Sequence, residues 1–183
     1  SDICCTSSNA VEVVNSLGSK RAIFLPDEYL GRYVASKTDV ELIFWKGHCE
    51  VHERFTANEV RTFRQQHPDV EVLAHPECPP DVLEEADYVG STSGMINYVG
   101  EKRPNYVVMV TECSMSDNVA VEYPDVHFVR PCNLCPHMKR ITLPRILASL
   151  EKLQHSVEIE FETARRARLA VERMMAVGRG KAG

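Results

Sequence analysis

The sequence predicts an α/β protein of two similar three-layer αβα units with short parallel sheets, followed by a long C-terminal helix. Apolar runs of strand length alternate with helical patterns along almost the whole chain. The runs are nearly continuous in Val, Ile, Leu and Phe, as buried parallel strands are. The pattern of residues 2–14, a short strand, a Ser/Thr cluster and a helix, returns 85 residues later at 87–99. This near-repeat indicates duplicated βα units.

The individual elements follow from apolar runs and helix-start signals. The first helix, 9–17, closes at Gly18, and the second, 27–36, follows Pro26. A third helix, 56–66, begins with the capping-box pattern Thr56-x-x-Glu59. Strands are predicted near 2–5, 21–25, 40–45, 70–74, 87–90, 106–111 and 126–129.

Later segments become increasingly helical. Prolines begin a short helix over 79–86, and the second Ser/Thr cluster leads into a helix over 94–100. A further helical segment starts at Thr142, and a long helix rich in Glu, Arg and Ala is predicted over 157–177, with 178–183 disordered. The predicted domains are 1–54, an αβα unit truncated at its N-terminus, 55–141, a second αβα unit, and 142–183, the C-terminal helices and tail.

Composition limits the function classes. The chain has 183 residues, of which 44% are hydrophobic and 26% charged, as in soluble globular proteins. A net charge of −5 argues against general affinity for nucleic acid. No apolar run reaches the roughly 18 residues of a membrane span, so we expect no membrane association and a cytoplasmic setting. Seven cysteines, an odd number, fit thiols kept reduced better than a secreted disulfide scaffold.

One cysteine recurs at the equivalent place in each copy of the repeat. Cys49 and Cys135 are 86 residues apart, each in a loop after an apolar strand. Duplicated units can bring such thiols together on a shared axis and so build a metal site. Iron–sulfur clusters usually need more than two thiolates, so we expect a further copy of the unit, with its own cysteine, upstream of Ser1.

Each cysteine motif also allows other interpretations. Cys49 alone could be a buried structural thiol, although the nearby glycine and histidines favour an accessible loop. Cys132-x-x-Cys135 could be a redox pair, or half of a zinc site with His137 and with Cys49 and His52 as further ligands. A reversible disulfide between Cys132 and Cys135 is a related hypothesis. Core or loop positions are predicted for the remaining thiols, Cys4, Cys5, Cys78 and Cys113.

Two further motifs place polar groups where chemistry is common in parallel sheets. His75-Pro76-Glu77 follows a strongly apolar strand, so its side chains are expected at the carboxyl edge of the sheet, although a plain surface connection fits the tripeptide too. Ser7 and the Ser91-Thr92 pair lie at predicted helix N-termini. There they can bind carboxylate or phosphate oxygens, or simply cap the helices.

These motifs together resemble quinolinate synthase. The residues that carry the resemblance are WKGHCEVHERF at 45–55, HPECP at 75–79, GSTSGM at 90–95 and CNLCPHM at 132–138. The resemblance implies condensation of iminoaspartate with dihydroxyacetone phosphate to quinolinate in NAD biosynthesis. It also implies a [4Fe–4S] cluster held by three cysteines, one from each of three αβα domains. The chain is similar to the second and third domains, so the first domain and its cysteine are expected outside it.

The resemblance also assigns roles to residues. It implies Cys49 and Cys135 as cluster ligands, and an open iron that acts as a Lewis acid. Glu77 is implied as the catalytic acid/base with His75 beside it, and L-aspartate oxidase as a supplier of iminoaspartate. The alternative function is a non-catalytic zinc-binding or thiol-redox α/β module. By analogy with the family, the substrate-binding residues are Ser7, Ser91 and Thr92.

Overall fold

A computed structural model of the chain describes residues 1–179 and confirms the α/β class. The chain divides into two compact units, a larger one over 6–134 and a smaller one that joins residues 1–5 to the chain from 135 onward. The larger unit contains two parallel sheets and six α-helices. Its strands are β1 (Arg21–Phe24), β2 (Glu41–Phe44), β3 (Val70–Ala74), β4 (Tyr88–Val89), β5 (Tyr106–Val110) and β6 (His127–Val129), and its helices are α1 (Ala10–Ser16), α2 (Glu28–Ala35), α3 (Ala57–Gln66), α4 (Pro80–Glu84), α5 (Thr92–Lys102) and α6 (Ser114–Glu122).

The four-stranded sheet, in the order β4-β3-β5-β6, is covered by helices on both faces. Because side chains alternate along a strand, β3 and β5 contribute residues to two separate apolar clusters. On one face Val72 and Val108 pack with Val60 of α3 and Val82 of α4. On the other face the cluster is formed by Leu73, Val107, Met109, Met95, Val99, Val119 and Val126. This sheet therefore has the predicted three layers.

The two-stranded sheet pairs β1 with β2 in parallel and is buried on one face. Phe24 and Leu42 are buried, at 5% and 9% exposure. The opposite face carries Ile23 and Ile43, which are paired in register and are 70% and 44% exposed. One face of this smaller sheet is therefore apolar and open in the described chain.

Side-chain caps fix the starts of α2 and α3 in the larger unit. Asp27 Oδ1 accepts the Leu30 N–H at 2.7 Å at the start of α2. The predicted capping box is confirmed, since Thr56 Oγ1 accepts the Glu59 N–H at 3.3 Å and the Glu59 carboxylate accepts the Thr56 N–H at 2.8 Å. Such caps satisfy backbone donors that the first helical turn leaves without partners.

One predicted strand is wrong and the other six are confirmed with slightly shifted ends. Residues 2–5 form no strand. Instead the Cys4 N–H donates to the Ala170 carbonyl at 3.1 Å, and Asp2 O accepts from Arg173. Three apolar residues suggested a strand, but the backbone of this segment bonds to the middle of the C-terminal helix rather than to another strand. The smaller unit thus has no strand among its described residues.

The smaller unit consists of a 3₁₀ turn and two helices, α7 (Leu143–Lys152) and α8 (Phe161–Arg179). The long helix was predicted from residue 157 but begins at Phe161, because the Glu160 carboxylate accepts the N–H groups of Glu162 and Thr163 at 2.8 Å. Of the segment predicted to be disordered, 178–179 belongs to α8 and 180–183 lies outside the described residues. The predicted domain boundaries stay predictions.

Candidate active site

Four strands of the larger unit end near one group of polar side chains. Asp27 follows β1, Cys49 follows β2, His75 follows β3 and Thr111 follows β5. The carboxyl ends of parallel strands are the usual position of active sites in open α/β sheets. The sequence placed His75 and Glu77 at such an edge, and the structure brings Cys49, His52 and Thr111 to them.

The loop that carries Cys49 is held against the start of α2. Asp27 Oδ2 accepts the Cys49 N–H at 3.0 Å, so this carboxylate caps the helix with one oxygen and fixes the cysteine backbone with the other. The Glu28 N–H also donates to the Gly47 carbonyl at 2.8 Å. A Cβ at Gly47 would lie 2.5 Å from the Pro26 carbonyl oxygen, so only glycine allows this close approach. The segments that follow β1 and β2 are therefore joined by hydrogen bonds to a backbone carbonyl and to the Asp27 carboxylate.

His52 is the centre of the polar group. It is 7% exposed and starts a 3₁₀ turn, His52–Arg54, three residues after Cys49. Its Nε2 lies 2.9 Å from Thr111 Oγ1, and its Nδ1 lies 3.1 Å from Glu77 Oε2. Each ring nitrogen therefore has an oxygen close to it, and Glu77 is an ion-pair partner when the ring is protonated.

His75 packs face to face on His52. The ring centroids are 4.5 Å apart with an interplanar angle of 16°. His75 is 6% exposed. Its backbone N–H donates to the Val110 carbonyl at 3.2 Å, and its ring Nδ1 accepts the backbone N–H of Glu77 at 3.4 Å. The Glu77 carboxylate lies 3.8 Å from His75 Nδ1. Glu77 therefore faces both imidazoles.

The two histidines are driven to opposite protonation states. Burial lowers the pKa of His52, but hydrogen bonds to Cys49 and Glu77 outweigh it and raise the pKa to about 9. Burial, together with the charge on His52, lowers the pKa of His75 to about 4. Near neutral pH the stack therefore pairs an imidazolium with a neutral imidazole.

The two anionic groups of the site depend on His52. Its hydrogen bond to Cys49 is the largest effect that lowers the pKa of that thiol. Its hydrogen bond to Glu77 likewise lowers the pKa of that carboxyl, against the opposing effect of burial. The arrangement stabilises a thiolate and a carboxylate around one protonated ring.

Cys49 has the chemistry of a metal ligand. The thiol is half-buried and borders a cavity of about 290 Å³ lined by Asp27, His48 and Glu77 among others. A stabilised thiolate at an open cavity fits one position of an iron–sulfur cluster. Ligand atoms of Cys49, His52 and Glu77 also lie within 4.8 Å of one another, which is the one such trio found within residues 1–179. Nitrogen, sulfur and oxygen donors of this kind also suit zinc.

The two Ser/Thr turns meet at a second cavity, of about 340 Å³. Ser7 and Ser91 both line it, together with Tyr33 and Tyr88. Ser91 also caps α5, because its Oγ accepts the Gly94 N–H at 3.2 Å. Thr92 is exposed and is not among the lining residues of this cavity in the described chain.

The residues of the Cys-x-x-Cys motif are separated between the two units. Cys132 belongs to the larger unit, whereas Cys135 and His137 belong to the smaller one. Cys132 Sγ lies 2.9 Å from Cys113 Sγ. Cys135 Sγ accepts the Met138 N–H at 3.5 Å. The structure thus gives Cys132 a neighbour that the sequence did not suggest.

Sequence reasoning missed three residues of this site. Asp27 was not recognised as the residue that holds the Cys49 backbone, and Thr111 was seen only as the end of an apolar strand. His52 was considered only as a zinc ligand, although the Cys49-x-x-His52 spacing places both side chains on one tight turn. A polar residue at the end of a predicted parallel strand, or within two residues of it, was the available signal for Asp27 and Thr111.

This is a parallel α/β protein that places a thiol, two imidazoles and a carboxylate at the carboxyl ends of its strands, as enzymes of metal-assisted or acid–base chemistry do. The chain belongs to the Quinolinate synthetase A protein family, NadA, whose family model matches residues 1–176. None of the helices over residues 1–179 is both long and apolar enough to span a membrane.

Curated relatives agree with this family. The chain is 63% identical over 177 residues to quinolinate synthase 2 of Mesorhizobium japonicum, which covers 97% of this chain and 55% of that protein. It is 62% identical to a quinolinate synthase of Agrobacterium fabrum, over 97% of this chain and 51% of that protein. It is 57% identical to a quinolinate synthase of Xylella fastidiosa, over 97% of this chain and 52% of that protein. The chain spans about half the length of the curated relatives it matches.

Proposed function

We propose that the chain is part of a quinolinate synthase that condenses iminoaspartate with dihydroxyacetone phosphate to quinolinate in NAD biosynthesis. The observation that carries this proposal is the group Cys49, His52, His75 and Glu77 at the carboxyl ends of parallel strands. Family membership supports it. A cytoplasmic setting and supply of iminoaspartate by L-aspartate oxidase are parts of the same proposal.

Proton transfer is the task of the histidine–glutamate group. Condensation, loss of water and aromatisation each require protons to leave carbon and to reach departing oxygen. Glu77, ionised beside His52, accepts a proton, and protonated His52 donates one. His75, buried and neutral, contacts substrate as a hydrogen-bonding partner of fixed orientation. These are catalytic assignments for Glu77 and His52, with His75 in a binding role.

Substrate anions are assigned to the second cavity. Iminoaspartate carries two carboxylates and dihydroxyacetone phosphate one phosphate, and such groups bind well to hydroxyls and backbone N–H groups at helix starts. Ser7 and Ser91 line that cavity. Thr92, at the first position of α5, adds a hydroxyl at the same helix start.

Cys49 and Cys135 are proposed to hold a [4Fe–4S] cluster together with a third cysteine outside this chain. When bound, a cluster with three thiolate ligands supplies an open iron that acts as a Lewis acid toward substrate oxygens. Within the chain, Asp27 fixes the Cys49 backbone, and His52 stabilises the thiolate that such a cluster requires.

A chimera tests the proposal on a full-length protein. This chain replaces the 177 matching residues of the Mesorhizobium japonicum quinolinate synthase 2, and the protein is made and assayed anaerobically. We expect quinolinate formation from the two substrates, with visible absorbance and iron content typical of a cluster. Cys49→Ser and Cys135→Ser should each abolish both signals, whereas the matched control Cys4→Ser should keep both.

Three results would each contradict a part of the proposal. A folded chimera that contains iron but forms no quinolinate would contradict the proposed reaction. If the Cys49→Ser chimera kept the same iron content, Cys49 would not be a cluster ligand. In the Glu77→Gln chimera, turnover close to that of the control Glu101→Gln, an exposed glutamate, would exclude Glu77 as the proton acceptor.

A second candidate function is a zinc-binding module, and one observation favours it. The ligand atoms of Cys49, His52 and Glu77 lie within 4.8 Å of one another in a single compact unit. Zinc accepts such a mixed set of donors. Stoichiometric zinc in the anaerobically purified chain, lost in Glu77→Gln and without iron after reconstitution, would favour the module. Iron that binds equally well in Glu77→Gln would favour the cluster.

A further inference from the structure

Two thiols outside the proposed catalytic group lie side by side. Cys113 Sγ and Cys132 Sγ are 2.9 Å apart. Both belong to the larger unit, at the start of α6 and in the loop after β6. Thiols this close need only small side-chain rotations to reach the S–S bond length of about 2.05 Å.

The backbone around the two thiols holds them together. The Cys113 N–H donates to the Asn133 carbonyl at 3.3 Å, next to Cys132 in the chain. An ion pair at 3.2 Å joins Arg130 to Asp117 of α6. The close approach is therefore supported by one contact on each side of the thiol pair.

The two thiols differ in access to solvent. Cys132 is exposed, whereas Cys113 is 8% exposed. An exposed thiol can meet a small oxidant first, and a buried neighbour can then displace it. This asymmetry is that of an attacking and a resolving cysteine.

We propose that Cys113 and Cys132 form a reversible disulfide by exchange with a small-molecule disulfide such as oxidised glutathione. The Cys132 thiolate attacks one glutathione sulfur, which forms a mixed disulfide and releases one glutathione thiolate. The Cys113 thiolate then attacks Cys132 Sγ, forms the Cys113–Cys132 bond and releases the second glutathione. The two cysteine thiols lose two electrons and two protons in total, and one glutathione disulfide becomes two glutathione molecules.

This disulfide would join two segments that matter to the proposed site. Cys113 lies two residues after Thr111, whose hydroxyl contacts His52, and Cys132 lies three residues before Cys135. The bond would close a loop of about 20 residues around α6 and β6, which restricts the unfolded chain. The inference stands independently of the proposed reaction.

Mass spectrometry on the whole chain tests the inference. The reduced chain is equilibrated with mixtures of reduced and oxidised glutathione, after which the remaining thiols are blocked and the chain is cut after glutamates. Cleavage after Glu112 and Glu122 places Cys113 on 113–122, and cleavage after Glu122 and Glu151 places Cys132 and Cys135 on 123–151. We expect a cross-link between these two peptides and a loss of two hydrogens from the intact mass.

Matched variants identify the partner. The cross-link should persist in Cys135→Ser and disappear in Cys132→Ser, which alters an exposed side chain. A cross-link that persists in Cys132→Ser but not in Cys135→Ser would overturn the pairing. So would a two-hydrogen loss within 123–151 that survives in Cys113→Ser, since that would be a Cys132–Cys135 bond. A stable glutathione adduct on Cys132 without cross-link, or no oxidation at any glutathione ratio, would also overturn the inference.

Discussion

The loops that carry Cys49 and Cys135 have the same backbone frame but different chemistry. Each cysteine carbonyl accepts an N–H from the fourth residue after it, and each loop then forms a 3₁₀ turn three residues after the cysteine. Corresponding residues differ by 86 in number throughout. The two donors are Glu53, at 3.0 Å, and Lys139, at 3.1 Å, and the two turns are His52–Arg54 and Met138–Arg140.

The side chains in this frame differ at the position that decides reactivity. Where the first loop has His52, buried and within 3.1 Å of Glu77 and 2.9 Å of Thr111, the second has Met138, which is 56% exposed. A thioether has neither a proton to donate nor a charge to stabilise a thiolate. The repeat therefore preserves the placement of a cysteine, while the imidazole of His52 is replaced by a thioether at the corresponding position of the second loop.

The largest expected effect is on kcat, and it distinguishes substitutions of His52 from substitutions of Met138. In the chimera, His52→Gln should lower kcat by about 100-fold or more, because it removes both the proton donor and the cation that stabilises Glu77. Met138→Leu should change kcat by less than about threefold, since the side chain is exposed and remains apolar. Steady-state quinolinate formation measures both.

A structural loss must be separated from this catalytic loss. The control His127→Gln alters an exposed histidine at the opposite ends of the strands, and it should leave kcat unchanged. Equal losses of kcat in His52→Gln and Met138→Leu would show instead that the two turns act alike.

The thiol of Cys49 gives a smaller effect that depends on pH. The hydrogen bond from His52 lowers the pKa of Cys49, so in the metal-free chain alkylation should persist as pH falls below the ordinary thiol pKa. In His52→Gln the pKa rises, and the alkylation rate near pH 7 should fall by about tenfold. The tryptic peptide 47–54 contains Cys49 as its one cysteine, so its modification can be timed by mass spectrometry.

The second loop provides a control for this measurement. Met138→Leu should leave the alkylation rate of Cys135 as it is, because it replaces one exposed, uncharged side chain by another. An unchanged Cys49 rate in His52→Gln would mean that the thiolate is stabilised by the backbone N–H groups of its own turn instead.

Sequence patterns predicted much of this frame, because its signals are local. The Thr56 capping box, six of the seven strands and the strand-end position of His75 follow from residues close together in the chain. Residues 2–5 and the start of α8 were predicted wrongly because distant or competing bonds decide them, with Ala170 O in the first case and the Glu160 carboxylate in the second. The contacts of His52 with Glu77 and Thr111 join residues 25 and 59 positions apart, which no local pattern reveals.

Asp27 supports the first loop, and its removal should cost stability. Asp27→Ala leaves the N–H groups of Leu30 and Cys49 without their acceptor, so the free energy of unfolding should fall by about 2 kcal/mol. The counterpart at the start of α6, Cys113, makes no side-chain cap, so Cys113→Ala should cost less than about 1 kcal/mol. Urea unfolding of the two variants measures the difference. Equal losses would mean that the Asp27 bonds contribute nothing beyond side-chain packing.

The smallest effect concerns the threonines that follow the two turns. Thr56 and Thr142 both precede a helix, α3 and α7, but only Thr56 makes a side-chain cap, because Glu59 completes a capping box where the second copy has Arg145. Thr56→Ala should therefore lower the free energy of unfolding by about 1 kcal/mol, and Thr142→Ala by a few tenths at most, about 0.3 kcal/mol. Urea unfolding compares them, with hydrogen exchange of the first α3 amides as a local probe. Arg145→Glu should create the missing box and raise the cost of Thr142→Ala. If that cost stayed the same, the acidic partner would not be what distinguishes the two helix starts.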